Sequence, residues 1–229
     1  WQAMLLAVAA AAVGTAGACL VLLPTLTAAV EQNYFAGLAS MPRLLLRNPV
    51  LRRGSVRGAL WFFAFCAIWS GIAVALSQDP YLLPANQIGL YALAGIAGIF
   101  ATRIAGGCVD RFGVRPVLLV GLATAAIACP ALAFGLDSPV TTMLALAMFD
   151  AGLFAAQVAN QTTILAIDAS APARFNSVYM LVYFVGGSLG TAFGASAAAS
   201  LGWPACVGVC AAALLAAGLL ANGRPHRMP

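Results

Sequence analysis

Seven long apolar runs dominate this sequence, and they decide what the chain can fold into. A helix needs roughly 20 mostly apolar residues to cross the hydrocarbon core of a bilayer. Each run has about that length and is bounded by charges, proline or glycine. The predicted spans cover approximately residues 3–24, 57–77, 86–105, 116–134, 141–166, 174–198 and 203–221. The sequence therefore predicts an all-α integral membrane protein.

The composition agrees with a membrane location and argues against a water-soluble fold. Hydrophobic residues make up 63% of the chain, charged residues 7%, and the mean hydropathy is +0.98. These values lie far outside the range of soluble domains. The net charge of +5 arises with no lysine in the chain. We interpret it as a topology signal rather than as affinity for nucleic acid, and the exclusive use of arginine indicates a high-GC bacterial gene.

The arginines lie in alternate connections between the predicted spans. Short cytoplasmic loops of membrane proteins collect basic residues, while exported loops avoid them. The opposite connections contain Asp79 and Asp137 but no base. This pattern predicts an outside N-terminus and a cytoplasmic C-terminal tail, 222–229, in a bacterial inner membrane. The arginines are Arg43, Arg47, Arg52, Arg53, Arg57, Arg103, Arg111, Arg115, Arg174, Arg224 and Arg227.

The residue types of common catalytic sites do not form any recognisable pattern here. The cysteines include no CxxC pair, and the single histidine, His226, lies in the polar tail. Cys206 and Cys210 share a helix face, but a metal would need two further ligands. We therefore predict no metal, no cofactor and no enzymatic activity. Because the chain begins with Trp1 inside an apolar run, we also expect it to be a fragment.

One cytoplasmic segment, residues 106–116, is more specific than the topology rule requires. It reads Gly-Gly-Cys-Val-Asp-Arg-Phe-Gly-Val-Arg-Pro. The glycines permit a tight loop, Asp110 can accept hydrogen bonds at a helix N-terminus, and the arginines hold the segment at the headgroups. The expectation from the residues alone is therefore a short basic turn that contains an acid.

This segment resembles motif A of the major facilitator superfamily, G-x-x-x-D-R-x-G-R-R, which follows the second helix of each six-helix half. The matching residues are Gly106, Asp110, Arg111, Gly113 and Arg115. Val114 stands where the family often has another base. The resemblance implies that the loop braces neighbouring helices and that Asp110 helps to hold one alternating-access state.

The resemblance also implies a domain organisation. Asn86–Leu90 and Gly186–Gly190 agree with the same family in the same order. The seven spans then correspond to helices six to twelve: residues 1–24 form one transmembrane helix, 25–56 the central cytoplasmic linker and 57–221 the C-terminal six-helix bundle. The expected partners are the bilayer, a small-molecule substrate and a missing N-terminal half. Within the linker, Met41-Pro42-Arg43 and Asn48-Pro49-Val50 predict short amphipathic helical pieces.

Asp150 is the ionisable residue predicted deepest in the membrane. It lies about nine residues into the fifth span, roughly 14 Å from its outer end. Gln157 and Gln161 return to the same helix face, so the three predict a polar stripe facing a watery cavity. An acid at this depth costs about 2.5 to 3.5 kcal/mol or more, which marks it as a proton-coupling candidate. The alternative is that Asp150 only hydrogen-bonds a neighbouring helix.

Other polar and aromatic side chains are weaker candidates for the wall of a cavity. Asn176, Tyr179 and Tyr183 share one face of the sixth span, where Tyr179 is also typical of an interfacial anchor or packing residue. Asn160 and Tyr91 complete the substrate candidates. Trp61 and Trp69 of the second span are more typical of core or lipid-facing residues. Three glycines at four-residue spacing predict close helix packing, and they are Gly186, Gly190 and Gly194.

The resemblance favours secondary transport by alternating access, with proton-linked efflux of a drug or metabolite. A proton gradient would then be the energy source. A non-transporting or accessory half-transporter remnant is the alternative for this chain, since a lone bundle lacks the opposing wall of the cavity. One buried carboxylate without a buried base favours cationic or neutral solutes.

Overall fold

The computed structural model describes residues 2–22 and 34–221. Within those ranges the chain forms nine α-helices and one 3₁₀ segment. They are α1 Gln2–Leu22, α2 Tyr34–Arg47, α3 Pro49–Ser77, α4 Ala85–Leu90, the 3₁₀ segment Tyr91–Gly95, α5 Ile96–Phe112, α6 Val114–Phe134, α7 Pro139–Leu165, α8 Pro172–Ser200 and α9 Trp203–Ala221. The chain divides into two compact units, residues 1–39 and 40–229.

Seven helical stretches in the described part of the chain are long and apolar enough to cross a membrane. They are α1, α3, the continuous stretch Ala85–Phe112, and α6, α7, α8 and α9. This confirms the predicted all-α membrane fold and places six of the stretches in the second unit. The predicted tail, 222–229, lies outside the described residues.

The first unit contains α1, whose described residues are all exposed. An apolar helix that is not covered by its own unit needs hydrocarbon or another protein surface around it. The predicted boundary at residue 24 falls outside the described residues.

The predicted linker differs from the observed helices at Pro42, whereas the predicted interruption at Asn48-Pro49 is observed. Pro42 lies inside α2, so it does not end that helix. The break comes at Asn48, whose Oδ1 accepts from the backbone N–H groups of Val50 and Leu51 at 3.0 Å each. Pro49 follows at the first helical position. The helix α3 therefore begins eight residues before the predicted span and includes Arg57.

In the second unit, α3 packs against α8 along backbone surfaces. A methyl group built on the predicted packing glycines would overlap backbone atoms of α3, opposite Ala59, Phe63 and Ala67. Small residues thus let the two helices approach more closely than ordinary side chains permit. The glycines are Gly186, Gly190 and Gly194.

A second close seam joins α6 to α7. Gly121 and Gly152 face each other so that a Cβ on either would lie 2.5 Å from the carbonyl oxygen of the other. Further contacts place α5 on α7, and α9 against both α3 and α6. The helices α3, α7 and α8 also contact one another, and the buried side chains of Arg57, Asp150 and Asn160 lie on α3 and α7.

Candidate functional site

Two groups of polar side chains lie where α7 packs against its neighbouring helices. The acid site consists of Asp150 and Trp69, and the polar cluster consists of Arg57, Gln157, Asn160 and Tyr179. Asp150 lies eleven residues after the start of α7, a helix of 27 residues, and is therefore close to its middle. Asn160 lies about 15 Å further along the same helix.

Asp150 is enclosed by its own bundle rather than open to a cavity. It is 1% exposed, and its Oδ1 accepts a hydrogen bond from Trp69 Nε1 at 3.2 Å. On the other side lies the 3₁₀ segment, where a Cβ on Gly95 would be 3.6 Å from Asp150 Oδ2. The predicted open stripe is wrong at this residue, because Trp69 and the 3₁₀ segment around Gly95 cover the carboxyl group. A proton-coupling role stays a prediction.

The other two members of the predicted stripe are tied to α8. Tyr179 Oη donates to Gln157 Oε1 at 2.6 Å, and Gln161 Nε2 donates to Asn176 Oδ1 at 3.1 Å. Both glutamines remain half-buried. The stripe is thus one face of α7, but its members bond to two different helices. Asp150 bonds to a residue of α3, and the two glutamines bond to residues of α8.

Arg57 is the residue that most changes the sequence-based interpretation. The topology rule placed it at the cytoplasmic connection before the second span, yet it is 7% exposed inside α3. Its Nε donates to Asn160 Oδ1 at 2.8 Å, and Nη2 donates to the same oxygen. The guanidinium of α3 is therefore bonded to α7 through the neutral side-chain amide of Asn160.

The direction of every hydrogen bond in the polar cluster follows from two groups whose roles are fixed, the Arg57 guanidinium and the Gly54 carbonyl. A guanidinium can only donate and the Gly54 carbonyl can only accept. The Asn160 oxygen must therefore face Arg57, and its Nδ2 must face the Gly54 oxygen at 3.0 Å and the Tyr179 hydroxyl at 3.2 Å. The Tyr179 hydroxyl, which accepts a hydrogen bond from Asn160, in turn donates a hydrogen bond to Gln157 Oε1. One ordered chain thus joins all three helices.

No carboxylate in the described part of the chain neutralises Arg57 by an ion pair. Asp150 belongs to the acid site, and Asp110 is exposed at the end of α5. Asp79, Asp137 and Asp168 lie in the connections between helices. A buried cation that bonds only to neutral partners is costly.

Aromatic rings join the polar cluster to the acid site. The aromatic wall consists of Phe62, Phe65, Trp69, Phe154 and Tyr183 on all three helices. Phe62 stacks on Tyr183 with ring centroids 3.8 Å apart and on Phe65 at 5.8 Å. Phe65 meets Phe154 edge to face at 5.9 Å and lies 6.4 Å from Trp69. Phe62, Phe65, Trp69 and Phe154 keep partly exposed surfaces.

The remaining cavity candidates are more enclosed than predicted. Tyr183 is 8% exposed beneath Phe62, and its ring lies 5.7 Å from that of Tyr179. Tyr91 is buried in the 3₁₀ segment, and Asn160 is fully buried at the centre of the polar cluster. Contact of Tyr91 with a substrate stays a prediction.

The motif near residue 110 is helical rather than a loop. Gly106, Asp110 and Arg111 lie in α5, which continues to Phe112. The turn is confined to Gly113, whose φ of 84° is a conformation that suits glycine. Arg115 follows in the first turn of α6. The predicted loop is therefore a one-residue corner, and the conformational role of Asp110 stays a prediction.

The sequence pattern indicates no site role for Arg57 and only packing or anchoring roles for Trp69 and Tyr179. A signal for Arg57 was present, because Asn48-Pro49 is a typical N-cap followed by proline at N1. A helix that starts there carries Arg57 about 12 Å inward. Trp69 and Tyr179 have no comparable signal, since their partners come from distant parts of the chain.

Comparison with known proteins supports the family resemblance. Residues 58–226 match the family described as Major Facilitator Superfamily. "Probable transporter SCO4007" of Streptomyces coelicolor is 37% identical over 180 residues, which are 78% of this chain and 41% of that protein. "Uncharacterized transporter YgaY" of Escherichia coli O157:H7 is 31% identical over 190 residues, which are 83% of this chain and 48% of that protein.

Apolar helices long enough to cross a bilayer, packed around buried polar groups, define a multi-pass membrane protein. With the matches above, the chain belongs to the major facilitator superfamily. It spans less than half the length of these two relatives.

Proposed function

We propose that this chain is the C-terminal part of a twelve-helix secondary transporter that moves a small solute by alternating access. Family membership and the two relatives named as transporters support transport rather than enzymatic chemistry. In this proposal the N-terminal half of the same protein supplies the opposite wall of the solute path. The location is a bacterial inner membrane, and the C-terminus is cytoplasmic.

We further propose proton-coupled efflux of a drug or metabolite, with Asp150 as the coupling acid. The observation that carries this step is the burial of Asp150 near the middle of α7, with the Trp69 N–H as its side-chain partner. A carboxylate enclosed by apolar helices is costly when charged, whereas the protonated form is tolerated. Uptake and release of one proton would therefore alter the packing of α7 against α3 and the 3₁₀ segment.

The test uses the full-length transporter in inside-out proteoliposomes with an imposed pH gradient. Ethidium, a lipophilic cation, and carboxyfluorescein, an aromatic anion, serve as fluorescent probes. We expect wild-type protein to accumulate at least one of them when the gradient is imposed. Asp150→Asn should lose this accumulation but keep gradient-independent exchange of the probe, because it keeps an acceptor for Trp69 and loses only the titrating group.

Asp137→Asn is the matched control, because Asp137 is an exposed aspartate that accepts from Tyr81 Oη at 3.0 Å outside the spans. It should accumulate the probe as wild type does. Full gradient-driven accumulation by Asp150→Asn would rule out this residue as the coupling acid. Wild-type protein that accumulates neither probe would contradict proton-coupled efflux.

A further inference from the structure

The polar cluster contains more hydrogen-bond donors than its own residues can satisfy. A guanidinium has five N–H groups, and Arg57 uses one on Nε and one on Nη2, both toward Asn160 Oδ1. Gln157 spends its oxygen on Tyr179. Neither the rest of the guanidinium nor Gln157 Nε2 bonds to another side chain or carbonyl in the described residues. The hydrogen-bond chain therefore has surplus donors at both of its ends.

The chemistry of a suitable acceptor for these donors follows from charge as well as from geometry. Arg57 remains positively charged under all physiological conditions. A neutral acceptor would satisfy its N–H groups but leave the charge uncompensated in an apolar bundle. A carboxylate would do both, and guanidinium groups bind carboxylates with two parallel hydrogen bonds. Gln157 is half-buried, so an outside group can approach the cluster from the Gln157 end, while Arg57 keeps 7% of its surface exposed.

The aromatic wall indicates what kind of molecule should carry the carboxylate. It begins next to the polar cluster, where Tyr183 lies 5.7 Å from Tyr179, and continues through Phe62 to Phe65 and Phe154. Partly exposed ring faces offer stacking and edge-to-face contacts to a flat apolar body. A solute with an acid at one end and an aromatic ring at the other would contact both.

We propose that the polar cluster and the aromatic wall bind an aromatic organic anion, with its carboxylate on Arg57 and Gln157 and its ring on Phe62, Phe65 and Phe154. This inference rests on the proposed function and names a substrate class for it. It replaces the preference for cationic or neutral solutes, which assumed that the bundle contains no buried base.

The experiment compares three probes of the same shape on the purified full-length transporter in detergent. Benzoate carries the carboxylate, benzamide is its neutral analogue, and benzylamine carries the opposite charge. Binding is measured by calorimetry, with 2-naphthoate as a larger aromatic carboxylate. We expect binding of benzoate and 2-naphthoate and at least about tenfold weaker binding of benzamide and benzylamine, since only a carboxylate forms charge-assisted bonds with the guanidinium.

Arg57→Gln should weaken benzoate binding at least about tenfold. The matched control is Arg53→Gln, which removes an exposed arginine one turn earlier in the same helix and should bind as wild type does. Asn160→Asp covers the case in which Arg57→Gln fails to fold. It keeps Arg57 but places a competing carboxylate beside it, so benzoate binding should fall by a similar factor.

Three results would overturn the inference. The first is the absence of binding by both aromatic carboxylates to wild-type protein. The second is unchanged benzoate binding in Arg57→Gln and Asn160→Asp. The third is a combination of two observations: Arg57→Gln loses ethidium and carboxyfluorescein transport equally, and wild-type protein does not bind benzoate. It would mean that Arg57 pairs with a carboxylate of the N-terminal half.

The two proposals fail in different ways. Benzoate binding without gradient-driven accumulation of either fluorescent probe would contradict proton-coupled efflux and leave the anion site supported. Gradient-driven accumulation of ethidium without binding of either aromatic carboxylate would support transport and overturn the anion site.

Discussion

The acid site and the polar cluster lie on the same three-helix layer, but they hold their charged groups in opposite ways. Asp150 accepts one side-chain hydrogen bond, from Trp69. Arg57 begins a chain of bonds that passes through Asn160 and Tyr179 to Gln157 and ties three helices together. A carboxyl group can become neutral where it stands, whereas an arginine cannot. The permanent charge therefore needs partners that the acid does not.

The two groups are too far apart to neutralise each other. Trp69 lies twelve residues after Arg57 on α3, which is about 18 Å along the helix. The space between them is filled by the aromatic wall. In our two proposals, this separation divides the layer into one site that changes its protonation and another that binds a fixed anion.

Breaking the polar cluster should have the largest effect on stability. Asn160→Leu removes the acceptor of Arg57 and the donors to Gly54 and Tyr179 in one step. A buried charge left without a partner is the most costly of these losses, so we expect a destabilisation of at least about 3 kcal/mol. The measurement is the thermal unfolding of the full-length protein in detergent.

Asn176→Leu is the control for this prediction. Asn176 accepts one bond from Gln161, and both residues are half-buried and uncharged. Its loss should cost about 1 kcal/mol or less. Equal destabilisation by the two substitutions would mean that the buried charge gives the polar cluster no special importance.

The seam between α3 and α8 sets the distance across which the polar cluster forms. A Cβ on Gly190 would overlap the backbone of Phe63, so Gly190→Ala should destabilise the bundle by about 1 to 3 kcal/mol. Gly208→Ala is the control, because a Cβ there has no atom within 4 Å and alanine favours helix by up to about 1 kcal/mol. Comparable melting temperatures for the two variants would contradict the close seam.

The acid site should be easier to alter than the polar cluster. Trp69→Phe removes the indole N–H that donates to Asp150 but keeps an aromatic ring in the wall. We expect a loss of about 1 kcal/mol, which is typical of one hydrogen bond. Asp150→Asn should unfold at the same temperature as wild type or a higher one, because the amide oxygen keeps the Trp69 bond without a charge. Marked destabilisation by Asp150→Asn would show that the carboxylate is part of the structural framework.

The sequence was sufficient for the features that depend on local pattern. Apolar length and bounding residues located seven spans, and the depth of Asp150 in its span marked it for attention. The spacing of Gly186, Gly190 and Gly194 predicted a close helix contact, and the structure places them against the backbone of α3. Each of these inferences needs only residues that are neighbours on one helix.

The features that the sequence left open depend on contacts between distant segments. Asn160 and Gly54 are 106 positions apart, and Trp69 and Asp150 are 81 positions apart. Helical periodicity places a residue on a face but does not say which helix covers that face. Arg57 was misplaced for a different reason, because a positive charge near a span end was interpreted by the topology rule alone.

Asp168 shows how an aspartate behaves outside the membrane-spanning helices and gives the smallest predicted effect. Its Oδ1 accepts from Ser170 Oγ at 2.6 Å and from the Ser170 backbone N–H at 2.9 Å. These bonds favour the charged form, so the pKa of Asp168 lies below its usual value. The stabilisation is therefore present above the unfolded pKa and is lost as the pH falls through the lower folded pKa.

Ser170→Ala should raise the pKa of Asp168 toward its usual value. The measurement is the NMR chemical shift of the carboxyl carbon in aspartate-labelled protein as a function of pH. Because Ser170 is not part of the acid site, the same variant should leave the pH dependence of probe accumulation unchanged, and a shift in that profile would assign Asp168 a part in coupling.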